Sequence, residues 1–127
     1  MKKFILKQIQ KRFQKHHQAG TSYWFYRWLI DLLQTPLEKE QPKLAMFDII
    51  SANSGIAKDF QVYSDDMFVI GDTLNIVTPH PGKFIGNGGC IFDEIEFMTK
   101  LKVNIIESKM MSRYYYYRGN YMHYMSF

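Results

Sequence analysis

The chain of 127 residues is poor in cysteine, in acidic residues near its two ends and in long apolar runs. Its one cysteine, Cys90, excludes an internal disulfide and a cysteine-based metal site. The most apolar stretch, residues 23–33, is about half as long as a membrane-spanning helix and contains Arg27 and Asp31. We therefore expect neither a disulfide framework nor membrane insertion.

Recognisable catalytic combinations are missing as well. No Ser/His/Asp or Cys/His set can be argued, and Asp93 and Glu94 are interpreted as acids that oppose a helix dipole. The histidines lack the spacing of a metal site; they are His16, His17, His80 and His123. We expect no enzyme, no catalytic residue, no metal and no cofactor.

Charge is divided into three blocks along a chain whose length fits one small domain. Residues 1–30 hold seven basic residues and no acid, whereas residues 31–108 hold six lysines against twelve acids. Residues 109–127 are basic again. A polyanion such as RNA is therefore expected to bind chiefly at the ends.

Glycine is concentrated in one informative stretch, residues 74–95. The stretch reads as a strand, a Pro-Gly turn, a glycine loop and the start of a helix, with Ile85, Phe92 and Ile95 as expected buried anchors. The loop is the tetrad Gly86-Asn87-Gly88-Gly89. Glycines let the backbone turn tightly and approach a sugar-phosphate chain without a Cβ in the way.

The surroundings raise the weight of this G-x-x-G tetrad. An apolar strand is predicted over 74–78, a helix over about 90–101 and a second, β-branched strand over 102–108. Strand, helix, G-x-x-G, helix and strand make the minimal KH core. At the first position of the predicted helix, Cys90 is expected to be a small buried residue.

Residues 81–89, read together with 78–80 and with the strand 103–107, are similar to a known family. They resemble the N-terminal, type II KH domain of the universal small-subunit ribosomal protein three family, over about residues 72–108. The resemblance implies an α+β fold in which helices pack a three-stranded sheet. It also implies a structural constituent of the head of the small ribosomal subunit that binds rRNA near the mRNA entry side, in translation.

The chain departs from that family inside the loop, where Asn87 and Gly88 replace the usual lysines. The loop keeps its shape but has lost charge that would hold phosphates, so a purely structural role is also open. The expected RNA-binding residues combine basic positions with the loop: Lys2, Lys3, Lys7, Lys11, Arg12, Lys15, Lys83, Gly86, Asn87, Gly88 and Gly89.

Residues 1–42 are predicted to form a basic and aromatic helical extension of a KH domain over 43–108. Apolar residues at four-residue spacing predict an amphipathic helix that ends near Gly20 and faces RNA. An aromatic stripe is expected to belong to the core: Tyr23, Trp24, Tyr26 and Trp28. Further elements are a helix over 44–56 and a strand or hairpin from 60–63 and 67–70, with the turn at 64–66.

Residues 109–127 form a tail rich in tyrosine and methionine, with interleaved arginines. So much exposed aromatic surface predicts a partner, and protein is favoured over RNA because the tail begins where the family's next helix and domain would pack. We expect a separate chain that supplies the family's C-terminal half, bound through Met110, Arg113, Tyr114, Tyr115, Tyr116, Tyr117, Arg118 and Tyr121.

The expected partners are thus small-subunit rRNA and other small-subunit ribosomal proteins. Abundant Phe, Tyr, Met, Ile, Asn and Lys, all with A/T-rich codons, favour an organelle genome and hence the mitochondrial matrix, with a cytoplasmic ribosome as the other location. Two alternatives stay open. One is a free KH-type assembly or regulatory factor, and the other is a protein-interaction module, an adaptor or inhibitor, in which the glycine loop is a plain turn.

Overall fold

Three strands form a mixed sheet that lies between two layers of helices, so the fold is α+β, as predicted. The structure is a computed structural model that describes residues 1–108. Within this range the elements, in chain order, are α1 (Lys2–His16), α2 (Tyr23–Leu33), α3 (Pro36–Lys39), α4 (Gln41–Ala52), α5 (Ser54–Tyr63), β1 (Asp66–Ile70), β2 (Thr73–Thr78), α6 (Gly82–Ile85), α7 (Cys90–Thr99) and β3 (Lys102–Glu107).

The strands are ordered β1-β2-β3, and the two pairings differ in direction. β1 and β2 are antiparallel and are joined by the tight turn Gly71-Asp72, where Gly71 has φ +61°. β2 and β3 are parallel, with Asn75 opposite Asn104. A parallel pair needs a crossover, and α6 and α7 supply it. The predicted strands over 74–78 and 102–108 are confirmed.

Both faces of the sheet are covered, which buries β2 over its whole length. On one face Leu74 and Ile76 belong to the apolar core formed with α4, α5, α6 and α7. On the other face Val77 belongs to a second core formed with α1 and α2, in which Phe13 is fully buried. We had expected helices on one face, but the extension packs on the sheet as well. The predicted boundary at residue 42 falls inside α4.

A chain of amide side chains crosses the second core. Gln10 of α1 and Asn75 of β2 form two reciprocal hydrogen bonds, with donor–acceptor distances of 2.9 and 2.7 Å. The Nδ2 of Asn104 donates to the Oδ1 of Asn75 at 3.1 Å. All three side chains are buried. Since a buried amide without a partner costs about 1–3 kcal/mol, this network fixes α1 to the sheet and β3 to β2 in one register.

A second polar cluster holds α2 against β1. Asp66 accepts hydrogen bonds from the Tyr23 hydroxyl at 2.5 Å and from the Nε of Arg27 at 2.8 Å. Arg27 also pairs with Asp31 one helical turn away, and its guanidinium lies 5.1 Å from the centre of the Phe68 ring. Tyr23 is fully buried, whereas Trp28 is exposed, so the expected aromatic core includes the first residue of that stripe and not the last.

The region between the two proline positions and β1 differs from prediction. The helix expected over 44–56 ends at Ala52, because Asn53 caps a new helix by accepting hydrogen bonds from the backbone of Gly55 and Ile56 at 3.1 Å. Residues 60–63, expected as strand, therefore lie in α5, where Phe60 is buried. The hairpin turn is at 71–72 and not at 64–66. Residues 67–70 are strand, as predicted.

Corrections also apply next to the glycine loop and at the end of α1. Ile85 is exposed, and the preceding Phe84 is the buried anchor. Phe92 is half-buried and packs against the first core, as Ile95 does in full. Cys90 begins α7 as predicted but is exposed, because it lies beside the open loop and not under a neighbouring element. α1 ends at His16, since His17 takes the left-handed conformation.

The pair Phe84 and Ile85 tests the packing of α6. Phe84 has no exposed surface and its ring centre lies 4.9 Å from that of Phe60, whereas Ile85 is 40 % exposed. We expect Phe84→Ala to lower the free energy of unfolding by about 3–5 kcal/mol. Ile85→Ala, the matched neighbour, should cost less than about 1 kcal/mol. Urea unfolding measures both, and equal costs would contradict the orientation of α6.

Tyr23 should make the protein sensitive to alkali. Burial raises the pKa of its hydroxyl well above the usual 10.0, and the Asp66 carboxylate raises it further. The folded state then holds this proton more tightly than the unfolded chain does. The stabilisation is complete below about pH 10 and is lost as the pH rises further, by at most about 1.4 kcal/mol per pH unit.

Denaturant unfolding of the wild type and of Tyr23→Phe across this pH range measures the effect. The variant should be less stable at neutral pH by about 1 kcal/mol or more, because Asp66 loses a donor, but its stability should decline less steeply above pH 10. Parallel declines of the two proteins would show that Tyr23 does not titrate differently in the folded state.

Candidate nucleic-acid interface

The glycine loop lies between α6 and α7, and three of its residues have backbone conformations that favour glycine. Gly86, Gly88 and Gly89 have φ values of +74°, +63° and +80°. A Cβ on Gly86 would lie 2.8 Å from the Cγ1 of Ile91, so the loop approaches α7 as closely as glycine allows. Added Cβ atoms at Gly88 and Gly89 would meet nothing within 4 Å. The loop is thus tight on its inner side and open on its outer side.

Few cations surround this loop. Lys83 of α6 is exposed and its amino group lies 4.9 Å from the centre of the Tyr63 ring. Asp93 and Glu94 follow on the first turns of α7, and Glu94 accepts a hydrogen bond from Asn53 at 3.0 Å. The open side of the loop can therefore approach a sugar-phosphate backbone, but it supplies little charge to hold one.

Positive charge is concentrated on the other face of the molecule, along α1. The apolar side of this helix is buried on the sheet through Leu6, Ile9 and Phe13, which turns its lysines towards solvent. Lys3, Lys7 and Lys11 recur at four-residue spacing and therefore share one side of the helix.

These three lysines line a groove of about 500 Å³ between α1 and the β1–β2 turn. Lys102, at the start of β3, lines its far wall. We call this cavity the lysine groove; its remaining lining residues are Leu6, Gln10, Gln14, Glu38, Ile70, Gly71, Asp72 and Thr73.

The structure therefore divides the predicted basic set. Lys3, Lys7 and Lys11 meet at one groove, whereas the other basic residues of α1 lie outside its lining: Lys2, Arg12 and Lys15. The guanidinium of Arg12 instead lies 4.9 Å from the centre of the Tyr26 ring. Lys102 was not predicted, because its place at the groove follows only from the parallel pairing of β2 with β3, which sets Lys102 opposite Thr73.

The lysine groove and the glycine loop lie at opposite ends of the sheet. The groove is beside the residues where β2 and β3 begin, and α6 and the loop follow the residue where β2 ends, Thr78. A six-residue strand spans roughly 20 Å. The groove is on the α1 face and the loop helices pack on the other face, so no single short segment of a ligand reaches both.

The predicted partner-binding residues of the tail lie outside the described residues, from Met110 to Tyr121. The last described residue, Ser108, donates from its backbone to Thr78 at 3.1 Å and from its hydroxyl to Asp65 at 2.7 Å. The chain thus leaves the described part at the end of the sheet where the glycine loop lies.

Two general features were searched within residues 1–108. No three His, Cys, Asp or Glu side chains come together in this range in a way that could hold a metal ion. None of its helices has both the length and the apolar character needed to cross a membrane.

Gly86 and Gly88 provide a matched test of the loop. At Gly86 the pair φ +74°, ψ 178° is open almost only to glycine, and Ile91 blocks a side chain. Gly86→Ala should therefore cost roughly 3 kcal/mol of stability. Gly88→Ala, in left-handed backbone with free space around it, should cost about 1–2 kcal/mol. Urea unfolding compares them, and the reverse order of costs would contradict the loop conformation.

Comparison of the chain with protein-family models, with curated proteins and with solved structures gave no significant match. The resemblance of residues 72–108 to the small-subunit ribosomal protein three family therefore stays a prediction. What can be proposed about function depends on the arrangement of the glycine loop, the sheet and the lysines of α1.

Proposed function

We propose that the chain is an RNA-binding protein built on a type II KH-like domain and that it is a structural constituent of the small ribosomal subunit head. The observation that carries the proposal is the order of elements. α5, β1, β2, α6, the G-x-x-G loop, α7 and β3 follow one another, with β1 antiparallel and β3 parallel to β2. The resemblance of residues 72–108 predicts this order, although it does not distinguish a ribosomal constituent from a free factor.

The distribution of charge supports a polyanionic partner. All acids of the chain lie in residues 31–108, while α1 presents six basic side chains and no acid. The partner in this proposal is small-subunit rRNA near the mRNA entry side. The glycine loop supplies close backbone approach and α1 supplies most of the charge.

Exposed apolar side chains support a place inside an assembly. Phe25, Trp28 and Leu32 lie on one side of α2, and Leu44 and Phe47 lie on α4, all more than half exposed. Such surface is costly in water and is normally covered by a partner. Other small-subunit ribosomal proteins would cover it, as would the separate chain expected beside the tail, in a mitochondrial ribosome. The same surface favours the second candidate function, a protein-interaction module without RNA binding.

Sedimentation of the tagged full chain distinguishes these functions. We expect it to sediment with small subunits, to remain there in high salt and to be released when RNase degrades the subunit. A free KH-type factor would bind RNA but leave the subunit in high salt. An adaptor or inhibitor would sediment with a protein complex that RNase does not disturb, and that result would overturn RNA binding.

The variants Phe25→Ser with Trp28→Ser provide a check on the assembly itself. Both side chains are exposed, so the isolated protein should stay folded, yet its incorporation into subunits should fall if α2 is covered there. Unchanged incorporation would contradict a covered α2 face while leaving RNA binding untouched.

A further inference from the structure

We propose that the lysine groove is a phosphate-backbone site separate from the glycine loop, so that the protein binds two distinct RNA segments at opposite ends of its sheet. The proposal rests on the proposed RNA-binding function and adds the location and the chemistry of the second contact. Its ligand is a run of RNA phosphates, and its central residues are Lys3, Lys7, Lys11 and Lys102.

The groove presents its lysines as a row. Residues four apart on a helix are one turn apart, so consecutive amino groups of Lys3, Lys7 and Lys11 originate about 6 Å from each other along α1. Lys102 stands across the groove at the start of β3. A row of flexible point charges facing a fourth charge suits the backbone of an extended polyanion better than one compact anion.

The acids of the groove do not neutralise this row. Glu38 is held in a capping box with Thr35, which donates to it at 3.0 Å, and the backbone hydrogen bond from Thr35 keeps the pKa of Glu38 below its usual value. Asp72 pairs with Lys102 at 3.6 Å on the exposed rim. Within residues 1–108, none of the three α1 lysines forms an ion pair. Their charge is therefore free for a ligand.

The packing of α1 favours RNA over a lipid surface. A helix that binds an anionic membrane inserts its apolar side between the lipids. Here that side is buried on the sheet through Leu6, Ile9 and Phe13, and only Phe4 is an exposed large apolar residue of the helix beyond Met1. The floor of the groove adds the amides Gln10 and Gln14, which can bond ribose and phosphate oxygens.

Two triple variants of α1 test the site with equal changes of net charge. In the groove variant Lys3, Lys7 and Lys11 are replaced by Gln, and in the control variant Lys2, Arg12 and Lys15 are replaced by Gln. Affinity of the full chain for a labelled RNA hairpin with single-stranded flanks is measured by fluorescence anisotropy across a salt series. Circular dichroism checks that both variants fold.

Three lost phosphate contacts should lower the salt slope by about 2 and the affinity roughly fiftyfold near 0.15 M salt, from a slope of about 0.7 per phosphate. The control variant should lose only a few-fold, through the screened general field. Lys102→Gln, on a different element, should weaken binding further when added to the groove variant. Equal losses in both triple variants would overturn the groove as a site and leave only a diffuse basic surface.

Separateness of the two sites is tested with a loop variant, Asn87→Asp with Gly88→Asp. If the loop and the groove bind different RNA segments, the fold-losses of the loop and groove variants multiply in the combined protein. A combined loss no greater than the larger single loss would overturn two separate segments.

The wild-type protein separates failure of this proposal from failure of the proposed function. If the wild type binds the hairpin and only the loop variant weakens it, the groove is refuted while RNA binding stands. If the wild type binds anionic phospholipid vesicles or polyglutamate but no RNA, both are refuted.

Discussion

Burial of β2 is the constraint on which the rest of the structure depends. This strand pairs antiparallel with β1 and parallel with β3, and every one of its residues is buried. A central strand of this kind requires helices on both faces of the sheet. The crossover that allows the parallel pairing also creates the glycine loop, and the cover on the other face turns the lysines of α1 outwards. The two candidate contact regions are thus products of one packing requirement.

The buried amides add specificity to this arrangement. Apolar side chains alone would let α1 slide along the sheet, because one aliphatic contact resembles the next. Gln10 and Asn75 are complementary only at one position of the helix, and Asn104 meets Asn75 only in one register of β3. The same positions set Lys7 and Lys11 beside the β1–β2 turn, so the core amides also determine where the basic row lies.

Local patterns predicted local structure well and long-range structure poorly. The strands around Asn75 and Asn104 and the start of α7 at Cys90 followed from β-branched runs and helical spacing. The break at Asn53 was missed because its cap depends on two backbone groups of the next turn, and residues 60–63 were then assigned to the wrong type. Ile85 was chosen over Phe84 because a one-turn helix has no periodicity to read. The groove needs Lys102 beside α1, a neighbourhood that only the folded topology creates.

The bridge between the end of α1 and β3 has a consequence for the order in which the protein can fold. Glu107 exchanges backbone hydrogen bonds with His17 and Ala19, and Phe13 and Ile106 share one core. The first helix to leave the ribosome that synthesises the chain therefore has to wait for the last described strand before its apolar side is covered. Contacts so distant in sequence form slowly and leave intermediates exposed during synthesis. The nascent chain thus presents a basic amphipathic helix, with its apolar side open, until residue 107 has been released.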